Sequence, residues 1–259
     1  MNGTHDKPGQ PEMTATTADP DEIAQFNRLS EKWWDPDGEF RSLHQLNPAR
    51  LAFIRDHAAA HFGREPLGDK PLKSLKLIDI GCGGGLLTEP MCRLGADVTG
   101  IDGGAETIAA AAHHAELVGL NITYRHVLPE DMRRERKRYD IVLNMEVVEH
   151  VADRALFLET AAKLLKPGGV MVLSTINRTL KSLALAKIGA EYILRWVPAG
   201  THDWRKFVRP SELANELGPH GMEVRDLKGL SYNPVDGSWR QSRDLAVNFM
   251  MVAVKSASN

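Results

Sequence analysis

The sequence predicts an α/β protein built on a doubly wound, mostly parallel seven-stranded sheet, with helices added at the N-terminus and an amphipathic helix inserted late in the chain. Three observations carry this. From Leu75 onward, short apolar runs alternate with helical segments, the pattern of a parallel sheet covered on both faces. The run Leu77-Ile78-Asp79-Ile80-Gly81-Cys82-Gly83-Gly84-Gly85-Leu86-Leu87-Thr88-Glu89 joins a strand through a glycine loop to the first turn of a helix. Finally, Ala96-Asp97-Val98-Thr99-Gly100-Ile101-Asp102 reads as a second strand ending in a carboxylate about 20 residues past that loop, where such folds hold a ribose.

In chain order, residues 1–20 are polar and rich in Thr, Pro, Asp and Gly, so a disordered tail is expected, followed by one domain over 21–259. The tail lacks the charged start and apolar core of a signal peptide. Ile23, Phe26 and Leu29 recur at helical spacing until Trp33-Trp34-Asp35-Pro36-Asp37-Gly38 breaks the pattern. A new helix is then expected with Asn47 as N-cap and Pro48 in the first turn, placing Arg50 on the opening turn. Strands are expected near 76–80, 97–101, 122–126, 139–143 and 170–175, and helices near 86–94, 105–118 and 153–165. Lys166-Pro167-Gly168-Gly169 turns into the fifth strand, and two late strands near 222–228 and 247–254 suggest a terminal antiparallel hairpin.

Residues 183–197 interrupt the alternation. Lys187, Glu191 and Arg195 form one charged stripe on an otherwise broadly apolar helix. Such a helix covers a greasy substrate, lies in a membrane interface, or packs on the core.

Composition narrows the functional classes. The chain has 259 residues, 42% hydrophobic, with formal net charge −2 and pI near 6.6. That gives no overall basic field, so nucleic acid is not an expected partner. The basic run Arg133-Arg134-Glu135-Arg136-Lys137-Arg138 reads as a solvated connection. Two cysteines without paired Cys/His spacing argue against disulfides and zinc and suggest a reducing compartment. Every hydrophobic stretch is broken well before the roughly 20 residues a membrane span needs.

Glycines at 81, 83 and 85 let the backbone approach a ligand at a helix N-terminus. The third small residue of a dinucleotide fingerprint is replaced by Leu86, which weakens a pyrophosphate reading. After the fourth strand, Asn144-Met145-Glu146-Val147-Val148-Glu149-His150 sets two carboxylates and an imidazole at i, i+3 and i+4, on one side if the segment turns helically. This trio could hold Mg²⁺ that a diol chelates. Alternatively, His150 could be a general base oriented by Glu149, or the three could cap a helix and form surface ion pairs.

Asp-x-Gly-x-Gly-x-Gly followed by a strand ending in Gly-Ile-Asp resembles the nucleoside-binding half of the class I S-adenosylmethionine-dependent methyltransferases, a Rossmann-like fold. Further stretches follow in one order: Trp33-Trp34-Asp35-x-x-Gly38-Glu39-Phe40, Leu43-His44-x-Leu46-Asn47-Pro48-x-Arg50, Met145-Glu146-x-x-Glu149-His150-Val151, Lys166-Pro167-Gly168-Gly169, Ser174-Thr175-x-Asn177-Arg178 and Gly189-Ala190-Glu191-Tyr192-Ile193-Leu194-Arg195. Together these resemble the ubiquinone-biosynthesis O-methyltransferase family from about Ile23 to the C-terminus. The resemblance implies methyl transfer from S-adenosylmethionine to a catechol hydroxyl of polyprenylated quinone precursors, at both O-methylation steps. It implies cofactor contacts at Arg50 (methionine carboxylate), Gly81 (backbone), Asp102 (ribose) and Met145 (adenine side). It also implies Mg²⁺ on Glu146, Glu149 and His150, with Glu149 and His150 the catalytic pair, and a substrate-cover or membrane-contact insertion over 179–205. The partners implied are the quinol substrate, membrane lipid and other quinone-biosynthesis proteins, at the cytoplasmic face of the membrane. The tail at 1–20 and the arginine-rich link at 133–138 depart from the pattern. An acidic adenine contact would fall in Leu128-Pro129-Glu130-Asp131. The competing readings are a methyltransferase for another small phenol or lipid, and a non-catalytic membrane-associated assembly component.

Overall fold

The computed structural model describes residues 16–133, 135–184 and 204–257. Eight strands form one sheet in the order β3-β2-β1-β4-β5-β8-β6-β7. The strands are β1 (Lys76–Ile80), β2 (Asp97–Asp102), β3 (Thr123–His126), β4 (Tyr139–Met145), β5 (Leu165–Ile176), β6 (Met222–Asn233), β7 (Ser238–Ser242) and β8 (Asn248–Lys255). The first five pair in parallel, whereas β8 is antiparallel to both β5 and β6. The helices are α1 (Pro20–Asn27), α2 (Arg41–His61), α3 (Thr88–Arg93), α4 (Ala105–Leu117), α5 (Pro129–Met132), α6 (Arg154–Leu164), α7 (Leu180–Ser182) and α8 (Pro210–Leu217).

Side-chain alternation along the central strands explains the doubly wound form. Ile78, Ile80, Val142, Met171, Leu173, Phe249 and Met251 join one buried cluster with Phe157 and Leu158 of α6 and Leu213 and Leu217 of α8. The intervening Leu77, Ile141, Leu143, Val170, Val172, Met250 and Val252 join another with Phe53 and Ile54 of α2 and Met91 of α3. Both faces are therefore dry, which is why these strands read as near-continuous apolar runs.

The sheet has one strand more than the seven expected. The expected antiparallel pairing of the two late strands is present, from Met222 opposite Lys255 to Lys228 opposite Met250. However, β6 runs on to Asn233 and folds back through an extra hairpin into β7, an edge strand too polar to stand out in sequence. The turn expected at Lys166–Gly169 is instead an irregularity within β5, which already begins at Leu165: the β4–β5 register jumps from Tyr139–Leu165 to Ile141–Val170, and Gly168 takes φ +71°.

The second correction concerns α2, which begins at Arg41 with Pro48 in its interior. Asn47 is not an N-cap: its buried amide Nδ2 donates to the Leu86 carbonyl at 3.1 Å. Pro48 forgoes the helical bond to the His44 carbonyl, and burial of Ala49, Phe53, Ile54 and Ala58 on the same helix offsets that loss. Arg50 thus sits in mid-helix rather than on an opening turn.

Residues 16–20, expected in the tail, are tied down instead. Thr17 donates through N and Oγ1 to the Glu130 carboxylate (2.8 and 2.7 Å), and Asp19 caps α1. Trp33 and Trp34 secure the next segment: Trp33 stacks on Phe40 with ring centroids 3.8 Å apart, and Trp34 Nε1 donates to the Gly84 carbonyl at 3.0 Å. In the basic run, Arg125 forks onto Glu135 and Lys137 Nζ reaches Thr99 Oγ1 at 3.3 Å. The amphipathic helix expected over 183–197 lies almost wholly outside the described residues. The insertion's two ends meet, since Trp204 Nε1 donates to the Thr179 carbonyl at 3.2 Å.

Candidate active site

A cavity of about 670 Å³ opens along the C-terminal ends of β1, β2 and β4 and is roofed by α1, the Trp33 segment and the start of α2. This is where open α/β sheets bind ligands. All seven residues singled out in the sequence (Arg50, Gly81, Asp102, Met145, Glu146, Glu149 and His150) line it.

The glycine loop forms one wall. Gly81 takes φ +69°, its N–H bonds the Ile101 carbonyl at 2.8 Å, and a Cβ there would lie 2.6 Å from Val147 Cγ2. Gly83 takes φ +53°, and a Cβ on it would meet the Trp33 ring at 2.5 Å. The loop thus needs glycine both for its backbone conformation and for close packing beneath the cavity. Asp102, at the tip of β2, accepts from the Gly83 N–H (3.1 Å) and the Gly104 N–H (2.8 Å), which fixes its carboxylate toward the pocket. Burial raises its pKa against these bonds. Asp79 is buried at the end of β1 and accepts from Thr88 Oγ1 at 2.7 Å, and desolvation pushes it to about 7. Cys82 is buried in the loop; desolvation, with the charges of Asp102 and Asp79, pushes its thiol well up, so it offers no ready thiolate.

The segment after β4 does not turn helically. Glu146 adopts φ +58°, a conformation disfavoured for a side-chain-bearing residue, and it is held there by Ser174 of β5 and Arg50 of α2. Its N–H bonds the Ser174 carbonyl (3.0 Å), and its carboxylate accepts from Ser174 Oγ (2.6 Å) and pairs with Arg50 Nη2 (2.9 Å). Arg50 is 3% exposed, and its Nε lies buried with no partner among the described residues. Glu149 is equally buried and its Oε2 is unpartnered; desolvation, with the nearby Glu146 charge, raises its pKa to about 7. His150 Nδ1 donates to Glu22 Oε2 on α1 at 3.1 Å. Burial opposes the charged imidazolium, but the Glu22 bond and the Glu149 charge prevail and raise the His150 pKa.

The three residues expected together are therefore engaged in different directions: Glu146 with Arg50 and Ser174, His150 with Glu22, and Glu149 with an open oxygen. Among the described residues, no group of three or more His, Cys, Asp or Glu is disposed to hold a metal. Glu22 went unnoticed in sequence because 128 residues separate it from His150 and no spacing rule reaches that far. Of the two acidic candidates for an adenine contact, Glu130 is taken up by Thr16 and Thr17, and Asp131 Oδ2 accepts from the Leu128 N–H at 3.3 Å.

A family model described as a methyltransferase domain matches residues 55–227. A ubiquinone biosynthesis O-methyltransferase of Chelativorans sp. (strain BNC1) is 53% identical over 95% of this chain and 97% of its own length. One of the same name from Bartonella quintana is 52% identical over 93% and 97%. This chain belongs to the ubiquinone biosynthesis O-methyltransferase family. Among solved structures, magnesium protoporphyrin IX methyltransferase from Synechocystis PCC 6803, with bound SAH, is similar at TM-score 0.60 and 20% identity, covering 90% of this chain and 94% of that one. The plantazolicin methyltransferase is similar at TM-score 0.60 and 18% identity, covering 91% and 97%. These two likenesses bear on the fold alone.

As a family member the chain is an S-adenosylmethionine-dependent O-methyltransferase. The cavity fits that cofactor in its chemistry. A buried cation has an orphaned donor for a carboxylate, and a carboxylate is fixed at the end of β2 for a diol, both on the cavity wall that Gly81 shares. Among the described residues, no helix is long and apolar enough to cross a membrane.

Proposed function

We propose that this enzyme methylates a catechol hydroxyl of polyprenylated quinone precursors at both O-methylation steps of ubiquinone biosynthesis. The observation that carries the reading is a single cavity whose lining joins the Gly81–Asp102 cradle to an apolar wall that includes Leu43, Leu46, Leu230 and Trp239, with Glu149 and His150 on the same surface. The names of the relatives support the quinone pathway.

When bound, S-adenosylmethionine supplies an electrophilic methyl on a sulfonium. Arg50 holds the amino-acid carboxylate, Asp102 the ribose hydroxyls, and Met145 packs beside the adenine. His150 takes the proton of the catechol hydroxyl at Nε2, which makes the oxygen nucleophilic. Glu149 lies desolvated nearby, where its charge favours the resulting imidazolium. The apolar wall excludes water and accommodates the prenyl chain.

The side chains do not fit Mg²⁺ on Glu146, Glu149 and His150 as they stand. Glu146 Oε1 and His150 Nδ1 are committed to Arg50 and Glu22, and among the described residues no three such side chains are disposed to hold one ion. Contact of 179–205 with membrane lipid, a position at the cytoplasmic face of the membrane, and association with other quinone-biosynthesis proteins belong to the same proposal and suit a substrate that resides in the bilayer.

The test is transfer of labelled methyl to a short-chain demethylubiquinol under reducing conditions, with and without EDTA, beside a Glu149→Ala variant. Transfer to the catechol oxygen that survives EDTA and falls in the variant supports the reading. Loss in EDTA with recovery on added Mg²⁺ would overturn the metal-free mechanism. Cofactor binding without transfer would sink the substrate assignment.

A further inference from the structure

The carboxylate hydrogen-bonded to His150 comes from the N-terminal helix, not from the adjacent Glu149. Glu22 Oε2 lies 3.1 Å from His150 Nδ1. One turn further along α1, Phe26 meets the same imidazole edge to face, with centroids 5.4 Å apart and planes at 90°. Residues i and i+4 of one helix therefore grip one ring, the geometry a helix face provides. The helix is itself anchored. Lys206 Nζ bridges Glu22 Oε1 (3.1 Å) and the capping Asp19 (3.0 Å), Thr17 bonds Glu130, and the Ala152 N–H bonds the Thr17 carbonyl at 3.1 Å.

We propose that Glu22 is the positioning residue of the His150 base, delivered by docking of α1. The proposal rests on the reading of His150 as the base that activates the catechol. A carboxylate on Nδ1 keeps the proton on that nitrogen and leaves the Nε2 lone pair as the acceptor. The catechol proton passes to Nε2. The oxygen's electron pair forms the C–O bond to the methyl as the C–S bond breaks and sulfur keeps its pair. The imidazolium, paired with Glu22, then releases its proton to water. Glu149 cannot fix the ring in this way, because its free oxygen makes no bond to it among the described residues. The N-terminal helix thus belongs to the catalytic apparatus, and the base is oriented only when that helix is seated.

The test compares Glu22→Ala, Glu22→Gln, His150→Ala, the Glu22→Ala/His150→Ala double variant and Asp21→Ala in the full chain, with S-adenosylhomocysteine binding and circular dichroism as folding controls. His150→Ala should lower kcat by roughly 10²- to 10⁴-fold. Glu22→Ala should lower it by about 10- to 100-fold with both KM values within about threefold, since an orienting partner is typically worth that much. Glu22→Gln, whose amide oxygen can still accept from Nδ1–H, should recover most of the loss. The double variant should be no slower than His150→Ala. Asp21→Ala, which removes an exposed carboxylate of the same helix without touching the imidazole or the helix's anchors, should keep kcat. A fully active His150→Ala would overturn the base reading itself. A slow His150→Ala beside a fully active Glu22→Ala would overturn only the role of Glu22. So would a Glu22→Ala loss that multiplies in the His150→Ala background, or one that Asp21→Ala reproduces, because either marks an effect that does not pass through the imidazole.

Discussion

Gly81→Ala separates the two demands that the glycine loop places on its first residue. A left-handed φ of +69° costs an L-residue about 1–2 kcal/mol. A Cβ 2.6 Å from Val147 Cγ2 and 3.2 Å from Cγ1 adds the price of overpacking, about 1–3 kcal/mol. The sum, roughly 2–5 kcal/mol, is a large share of the 5–15 typical of a domain. Val147 is only partly buried, so Val147→Ala removes the two methyls in the way at a cost of at most about 1.6 kcal/mol, two carbons at about 0.8 each. The two changes together should therefore fall short of additivity by the overpacking part, about 1–3 kcal/mol, and leave the backbone strain in place. Guanidinium unfolding of the two single variants and the double gives this number directly. Additivity within about 0.5 kcal/mol, or a Gly81→Ala cost below that, would refute the argument that close approach to Val147 dictates the residue.

Glu146→Ala strands the Arg50 guanidinium, whose side chain is 4% exposed, and should cost about 3–5 kcal/mol in thermal or chemical unfolding. Saturating S-adenosylhomocysteine should stabilise that variant more than the parent, because its carboxylate reaches the stranded cation; equal stabilisation would count against Arg50 as the carboxylate partner. Asp102→Ala loses the acceptor fixed by Gly83 and Gly104, and calorimetry should show S-adenosylhomocysteine binding weakened by roughly 10- to 100-fold, the worth of a charged hydrogen bond. Asp79 sets a pH dependence. Its folded pKa of about 7 lies above the unfolded value of 3.8, so its favourable contribution is complete below pH 3.8 and is lost as pH rises through 7. Asp79→Asn should therefore gain stability over the parent between pH 4 and 8, by at most about 4 kcal/mol at about 1.36 per pKa unit. A gain that is flat with pH would show that Asp79 stays ionised throughout.

Most of the sheet was legible because each central strand is buried on both faces and flanked by helices with strong apolar spacing, as in Leu77–Ile80 and Val170–Ile176. The glycine loop and Asp102 were legible because backbone conformation and residue type leave few alternatives there. What failed was local inference overridden by tertiary contact. Asn47-Pro48 carries a helix-start signal, yet α2 begins six residues before Asn47 because Asn47 has a distant carbonyl to satisfy and the apolar face continues through the proline. Glu146 carries no sign of its left-handed backbone, which Ser174 and Arg50 impose from other elements. The i, i+3, i+4 spacing of the trio assumed a helix that this one residue prevents. β7 escaped because an edge strand such as Ser-Trp-Arg-Gln-Ser needs only one inward residue, Trp239.

The same economy at the sheet margins governs how the protein behaves among its own copies. Each outer strand is short, four residues in β3 and five in β7, and both carry arginine: Arg125 with His126 on one side, Arg240 on the other. Arg240 also pairs back onto Asp236, so its charge stays beside the hairpin. Brief margins whose arginines are held in ion pairs, Arg125 on Glu135 and Arg240 on Asp236, present a poor template for another strand. An eight-stranded sheet with an apolar interior can in this way be made in quantity without spreading into fibrous aggregates.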